Sequence, residues 1–109
     1  MITIREYLDQ SGRSRFAKWF ESLNAPAAAK VTIALVRIEQ GNFSNTKGVG
    51  AGVYECRIDF GPGYRIYFGK DGDTFIILLG GGSKKHQSKD ILAAQECWND
   101  YKGRKAKET

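Results

Sequence analysis

Apolar and polar side chains alternate from Ile2 to Tyr7, the two-residue period of a strand with one covered face. Ser11 to Ser14 is a polar break, and Ser14 is placed to cap a short helix whose apolar residues Phe16, Trp19, Phe20 and Leu23 share one face. Asn24-Ala25-Pro26 resets the chain, with Pro26 in the first turn of a second helix. That helix should bury Val31, Ala34, Leu35 and Ile38, run to about Gln40 and stop at Gly41. Residues 41 to 52 carry four glycines and Lys47 and read as a flexible loop; they match neither of the common glycine-rich phosphate motifs. Strand patterns return at Val53 to Phe60 and Tyr64 to Lys70, joined through Gly61-Pro62-Gly63, and at Thr74 to Leu79 after the Asp71-Gly72 turn. Gly80-Gly81-Gly82 is expected to end the sheet. A last helix should open near Ser88, with Ile91, Ala94, Gln95, Trp98 and Tyr101 inward.

The order is β-α-α-β-β-β-α. It predicts an α+β domain with a small, mostly antiparallel four-stranded sheet, a helix hairpin on one face and a C-terminal helix. With 109 residues and 41% hydrophobic side chains there is material for one core. We place the domain at residues 1–102, and the basic segment 103–109 as a flexible tail.

Charge narrows the partners. A net charge of +5 and a pI near 9.3 favour an anionic partner such as nucleic acid, the ribosome or an acidic protein. No apolar run is long enough to span a bilayer, and no signal peptide is visible, so a soluble, cytoplasmic protein is expected. Cys56 and Cys97 lack a metal-type spacing and read as buried free thiols. With a single histidine no zinc cluster can be assembled, and neither metal nor cofactor is expected.

The alternation of the central hairpin locates the candidate chemistry. Tyr54, Cys56, Ile58 and Phe60 share the core side with Tyr64, Ile66 and Phe68; Glu55, Arg57, Asp59, Arg65 and Tyr67 take the other. Two registers keep faces matched: a five-residue loop sets Arg57 opposite Arg65, and a three-residue loop sets Asp59 opposite Arg65 and Arg57 opposite Tyr67. Either brings two arginines and a tyrosine together on a helix-free face. One reading is a solvated surface where Arg57 and Arg65 pair with Asp59 and Glu55. The other is an anion platform in which guanidinium groups grip phosphate and the Tyr67 ring stacks on a base. Lys84, Lys85 and His86 follow the last strand, where a helix N-terminus favours anions. His86 is the one side chain of a type that changes charge near neutral pH.

The run from Gly52 to Phe68, with Glu55, Arg57-Ile58 and Gly63-Tyr64-Arg65-Ile66-Tyr67, resembles the central hairpin of RelE/ParE superfamily toxins, in particular the HigB-like addiction-module killer proteins. The resemblance extends through Ile76 to Lys84 and Lys89-Asp90-Ile91, and takes in the two-helix N-terminal half. It implies a RelE-like fold and a type II toxin masked by a cognate helix-turn-helix antitoxin, through which alone it would reach operator DNA. It also implies cleavage of mRNA on the ribosome by attack of a ribose 2′-OH on the adjacent phosphate. On this reading Arg65 meets the scissile phosphate, Arg57 and Lys84 are basic residues of the site, Lys84 or His86 assists proton transfer, and Lys47, Tyr67 and Lys85 contact RNA. The alternative within the superfamily is a ParE-like protein that inhibits DNA gyrase by binding alone.

Overall fold

The computed structural model describes residues 2–108. Strand β1 (Thr3–Glu6) leads through a turn to α1 (Arg15–Glu21) and α2 (Ala25–Glu39). The Ser14 hydroxyl accepts the Ala17 N–H at 3.0 Å, and the Asn24 side chain accepts the Ala27 N–H at 2.9 Å, so each helix opens on a side-chain cap. Gly41, at φ +83°, ends α2 in the left-handed conformation. Then come β2 (Thr46–Gly48), β3 (Val53–Ile58), β4 (Tyr64–Asp71), β5 (Phe75–Ser83), one 3-10 turn (Lys84–His86) and α3 (Gln87–Lys107).

The α+β class holds, but the sheet has five strands and not four, in the order β1-β5-β4-β3-β2. β1 runs parallel to β5, and every other pairing is antiparallel. The added strand, β2, lies within the segment expected to be a loop. It has no apolar alternation; it forms because β3 offers a free edge, onto which Thr46 and Gly48 pair with Cys56 and Tyr54.

Both faces of the sheet are covered. Phe16 of α1 and Val31, Ala34 and Ile38 of α2 pack on Cys56, Ile58, Ile66, Phe68, Ile76 and Leu78. Ala94 and Trp98 of α3 pack on Val53, Tyr67, Ile77 and Leu79 of the opposite face, with Tyr7. Burying one such aliphatic or aromatic side chain is worth about 1.5–3 kcal/mol. The helix-free face expected from the pattern is therefore roofed along part of its length by α3.

Gly80-Gly81-Gly82 does not end the sheet; β5 runs through it to Ser83. A bulge between Tyr67 and Phe68 in the pairing, where Gly80 and Leu78 are the successive partners, sets Gly81 opposite Ile66 and Gly82 opposite Arg65. A Cβ on Gly81 would stand 2.5 Å from Cδ2 of Trp19, and one on Gly82 would stand 2.8 Å from Cγ of Asp90. The glycines make room for α1 on one side and α3 on the other. Gly69 does the same for Trp98, whose Cδ2 would lie 2.6 Å from an added Cβ.

The basic C-terminal segment is not a loose tail. α3 continues to Lys107 and is fastened at its far end: Tyr7 donates to Asp100 at 2.7 Å, Arg104 donates to the Leu8 carbonyl at 2.6 Å, and Tyr101 and Lys105 both donate to Asp71. Cys56 is buried, Cys97 is half-buried, and both are free thiols pushed up in pKa by burial. Among the described residues no helix is long and apolar enough to cross a membrane, and no cluster of His, Cys, Asp and Glu could hold a metal ion.

Candidate functional site

The β3–β4 hairpin takes the five-residue loop, which sets Arg57 opposite Arg65 and Glu55 opposite Tyr67. Gly61 and Gly63 turn the loop at φ +55° and +85°, and the Gly63 N–H donates to the Phe60 carbonyl at 2.9 Å. Where only the first residue of α3 reaches over it, the face carrying Glu55, Arg57 and Arg65 opens into a cleft of about 230 Å³, walled by Ser44, Asn45, Thr46 and Lys47. The edge strand β2 thus brings Lys47 alongside the two arginines.

Glu55 lies at the floor. It is 2% exposed, and Arg65 is only 7% exposed. Glu55 Oε2 accepts a hydrogen bond from Gln87 Nε2 at 2.9 Å, while Oε1 faces Arg65 Nε at 3.5 Å and Lys47 Nζ at 3.9 Å. The Arg65 contact is an ion pair outside hydrogen-bonding alignment: Nε and Nη1 of this buried guanidinium have no hydrogen-bond partner among the described residues. Buried donors are nearly always paired, because leaving one unpaired costs about 1–3 kcal/mol. The cleft therefore holds a buried arginine whose charge is only loosely compensated, beside the exposed cations Arg57 and Lys47.

The predicted site residues divide. Arg57, Arg65 and Lys47 share the cleft. Lys84 adjoins it: its N–H donates to the Gly63 carbonyl at 3.2 Å, and Gly63 lies between Arg65 Nη1 and Lys84 Cβ, with room for a Cβ 3.9 Å from the one and 4.0 Å from the other. Lys85 is exposed on the same 3-10 turn and is not among the described residues that line the cleft. His86 is not brought there. It stands at the start of α3 and lines a separate depression with Arg15, Lys89, Asp90 and Glu96.

Tyr67 requires a correction as a base-stacking platform. It is fully buried, and its ring belongs to the core beneath α3. Burial first, then the negative charges of Glu55 and Asp90, push its phenol well above the ordinary value, and its hydroxyl has no well-aligned partner. Two residues of the site were not singled out from the sequence. Glu55 was visible in the alternation, but only as a surface ion-pair partner. Gln87 enters because the 3-10 turn swings the start of α3 back over β3, which local pattern does not encode.

No protein-family profile matches the chain. It is 42% identical over 81 residues to an uncharacterized protein of Haemophilus influenzae, an overlap covering 73% of this chain and 82% of that one.

Proposed function

The chain belongs to the family of that Haemophilus influenzae protein; from the geometry of the cleft and the resemblance of the hairpin that builds it, we propose that it is an endoribonuclease of the RelE/ParE toxin kind, acting on mRNA in the cytoplasm at the ribosome. The observation that carries the reading is the buried Arg65 guanidinium, two of whose nitrogens have no hydrogen-bond partner among the described residues, in a cleft shared with Arg57, Lys47 and the Glu55 carboxylate. Nε and Nη1 are themselves enclosed, so a phosphodiester in the cleft meets the small part of the Arg65 side chain that is still open, beside Arg57 and Lys47.

The chemistry follows from the donor set. A ribose 2′-oxygen bonds to the adjacent phosphorus as the bond from phosphorus to the 5′-oxygen breaks. Glu55, the only carboxylate lining the cleft among the described residues, takes the 2′-hydroxyl proton. Arg65, Arg57 and Lys47 offset charge growing on the phosphoryl oxygens. The Lys84 ammonium, rooted beside Arg65, gives a proton to the departing 5′-oxygen. The products are a cyclic phosphate and a free 5′-hydroxyl. With four cations and one carboxylate, the site owes its rate mostly to positioning, which suits an enzyme that borrows the geometry of ribosome-held mRNA. A helix-turn-helix antitoxin that covers the toxin and reaches operator DNA completes the proposal.

The test is tightly induced expression in bacteria, wild type beside Arg65→Ala and Glu55→Gln, with pulse-labelling of new protein and new DNA. Arrest of protein synthesis by wild type, relieved by either substitution, supports the nuclease. Failure of DNA synthesis while translation continues overturns it in favour of a gyrase inhibitor.

A further inference from the structure

The cationic cleft does not end at Arg57. A second groove of about 240 Å³ lies between α2 and the last residues of β3, lined by Lys30, Ile33, Ala34 and Arg37 on the helix side and by Asn45 and residues 56–60 on the other. Asn45 and Arg57 line both cavities, so the two adjoin at the edge of the sheet, on either side of the Asn45–Arg57 backbone contact. The reason is the shortness of β2. Its pairing stops at Thr46 opposite Cys56, and past that point the outer edge of β3, among the described residues, is held by the Arg57 N–H donating to the Asn45 carbonyl at 3.0 Å, while β4 pairs with its other edge. The strand edge is left open where α2 crosses it.

The charge of this groove is unspent. Among the described residues, Lys30, Arg37 and Arg57 take part in none of the ion pairs, which are Lys47 and Arg65 with Glu55, Arg104 with Asp100, and Lys105 with Asp71. Asp59 is the one carboxylate in the groove. Phe60 supplies a half-buried aromatic ring, with Lys30 Nζ 5.5 Å from its centroid. Three cations, Lys30, Arg37 and Arg57, against one carboxylate, with an aromatic ring among them, match a single nucleic-acid strand.

We infer that this groove is a binding subsite for the nucleotides flanking the reacting phosphate, so that one RNA strand enters at Arg65, bends around the sheet edge at Arg57 and lies along α2. Arg37 and Lys30 hold successive backbone phosphates, and Phe60 meets a base. This rests on the endoribonuclease reading, and it assigns to the substrate a length of several nucleotides and a direction across the protein.

The test is equilibrium binding of 2′-O-methyl RNA, which cannot be cleaved, as a dinucleotide and as a hexanucleotide at low salt. Wild type is measured beside a Lys30→Gln/Arg37→Gln double variant; both positions are exposed, and thermal unfolding checks the fold. Wild type should bind the hexanucleotide roughly tenfold more tightly than the dinucleotide, two screened phosphate contacts being worth that much. In the double variant that advantage should collapse, and the slope of log affinity against log salt should fall by about 1.4, at ~0.7 per single-strand phosphate. If wild type binds both lengths equally, or the double variant keeps the full advantage, the groove is not a subsite while the nuclease reading stands. If wild type binds neither length, the inference falls, while the nuclease reading is decided by the induced-expression assay. Binding of an acidic peptide in preference to RNA overturns the inference in favour of a protein partner.

Discussion

Glu55→Gln separates the two roles of the carboxylate at the floor of the cleft. The substitution keeps size and shape, so no cavity opens, but it leaves the Arg65 charge, in a residue 7% exposed, without its counter-ion. Removing one member of a buried ion pair costs about 3–5 kcal/mol. The 3.5 Å separation of Arg65 Nε and Glu55 Oε1 is longer than a tight charge-assisted bond, which puts the expectation at the low end, about 3 kcal/mol. For a domain of this size that is a fall in Tm of roughly 12 °C or more. The same change frees the guanidinium, so sulfate should restabilise Glu55→Gln more than it does wild type. At tenfold excess over its Kd, a bound anion contributes about 1.4 kcal/mol. The assay is urea unfolding with and without sulfate, with Arg65→Ala/Glu55→Gln as control for the general salting effect. A variant within about 0.5 kcal/mol of wild type, showing no extra response to sulfate, would mean that Arg65 does not depend on Glu55, and the proposed oxyanion site would lose its basis.

Three further outcomes are expected. His86→Ala should remain toxic in the induced-expression assay that Arg65→Ala fails, since His86 does not line the cleft. Gly81→Ala and Gly69→Ala should each destabilise by about 1–3 kcal/mol in urea unfolding, and Trp19→Ala should recover part of the Gly81→Ala loss in a double-mutant cycle. Acid should loosen the far end of α3: hydrogen bonds from Lys105 and Tyr101 hold the Asp71 carboxyl below its ordinary range, and those from Tyr7 and Arg104 do the same for Asp100. A depressed carboxyl contributes its stability above the unfolded pKa of ~3.9 and loses it as pH falls through the folded value, so amide resonances beyond Trp98 should broaden first below about pH 4. The same contacts fail again in alkali, between the ordinary tyrosine value of ~10 and the values of about 12 to which burial and the carboxylates push Tyr7 and Tyr101.

How far the sequence foretold this depends on the range of each interaction. The helix starts at Ser14 and Asn24 are local hydrogen bonds, and local pattern found them. Alternation put Glu55, Arg57 and Arg65 on one face and cut the hairpin to two registers; the five-residue loop prevailed, with Gly61 and Gly63 in left-handed conformations. What alternation cannot tell is what covers a face. Tyr67 was read as exposed because nothing local to β4 announces that α3, starting some 20 residues later, will lie across it. The glycine run misled in the same way: as a string it reads as a break, whereas Trp19 and Asp90 occupy the places its side chains would have filled. Lys84 and His86 are near neighbours in the chain, yet one turn of 3-10 helix leaves Lys84 beside Gly63 and sends His86 to a separate depression.

The parallel pairing of β1 with β5 also orders events during synthesis. β1 is made first, but its partner Phe75–Leu78 is not made until most of the chain exists. The antiparallel β3–β4–β5 meander closes through short loops and can assemble without it. Until β1 arrives, β5 offers a bare, apolar edge, Phe-Ile-Ile-Leu-Leu, of the kind that recruits strands from other molecules. Deleting the first seven residues, or burdening them with a bulky fusion, should therefore yield aggregates or strand-exchanged dimers in which one molecule's β1 completes its neighbour's sheet.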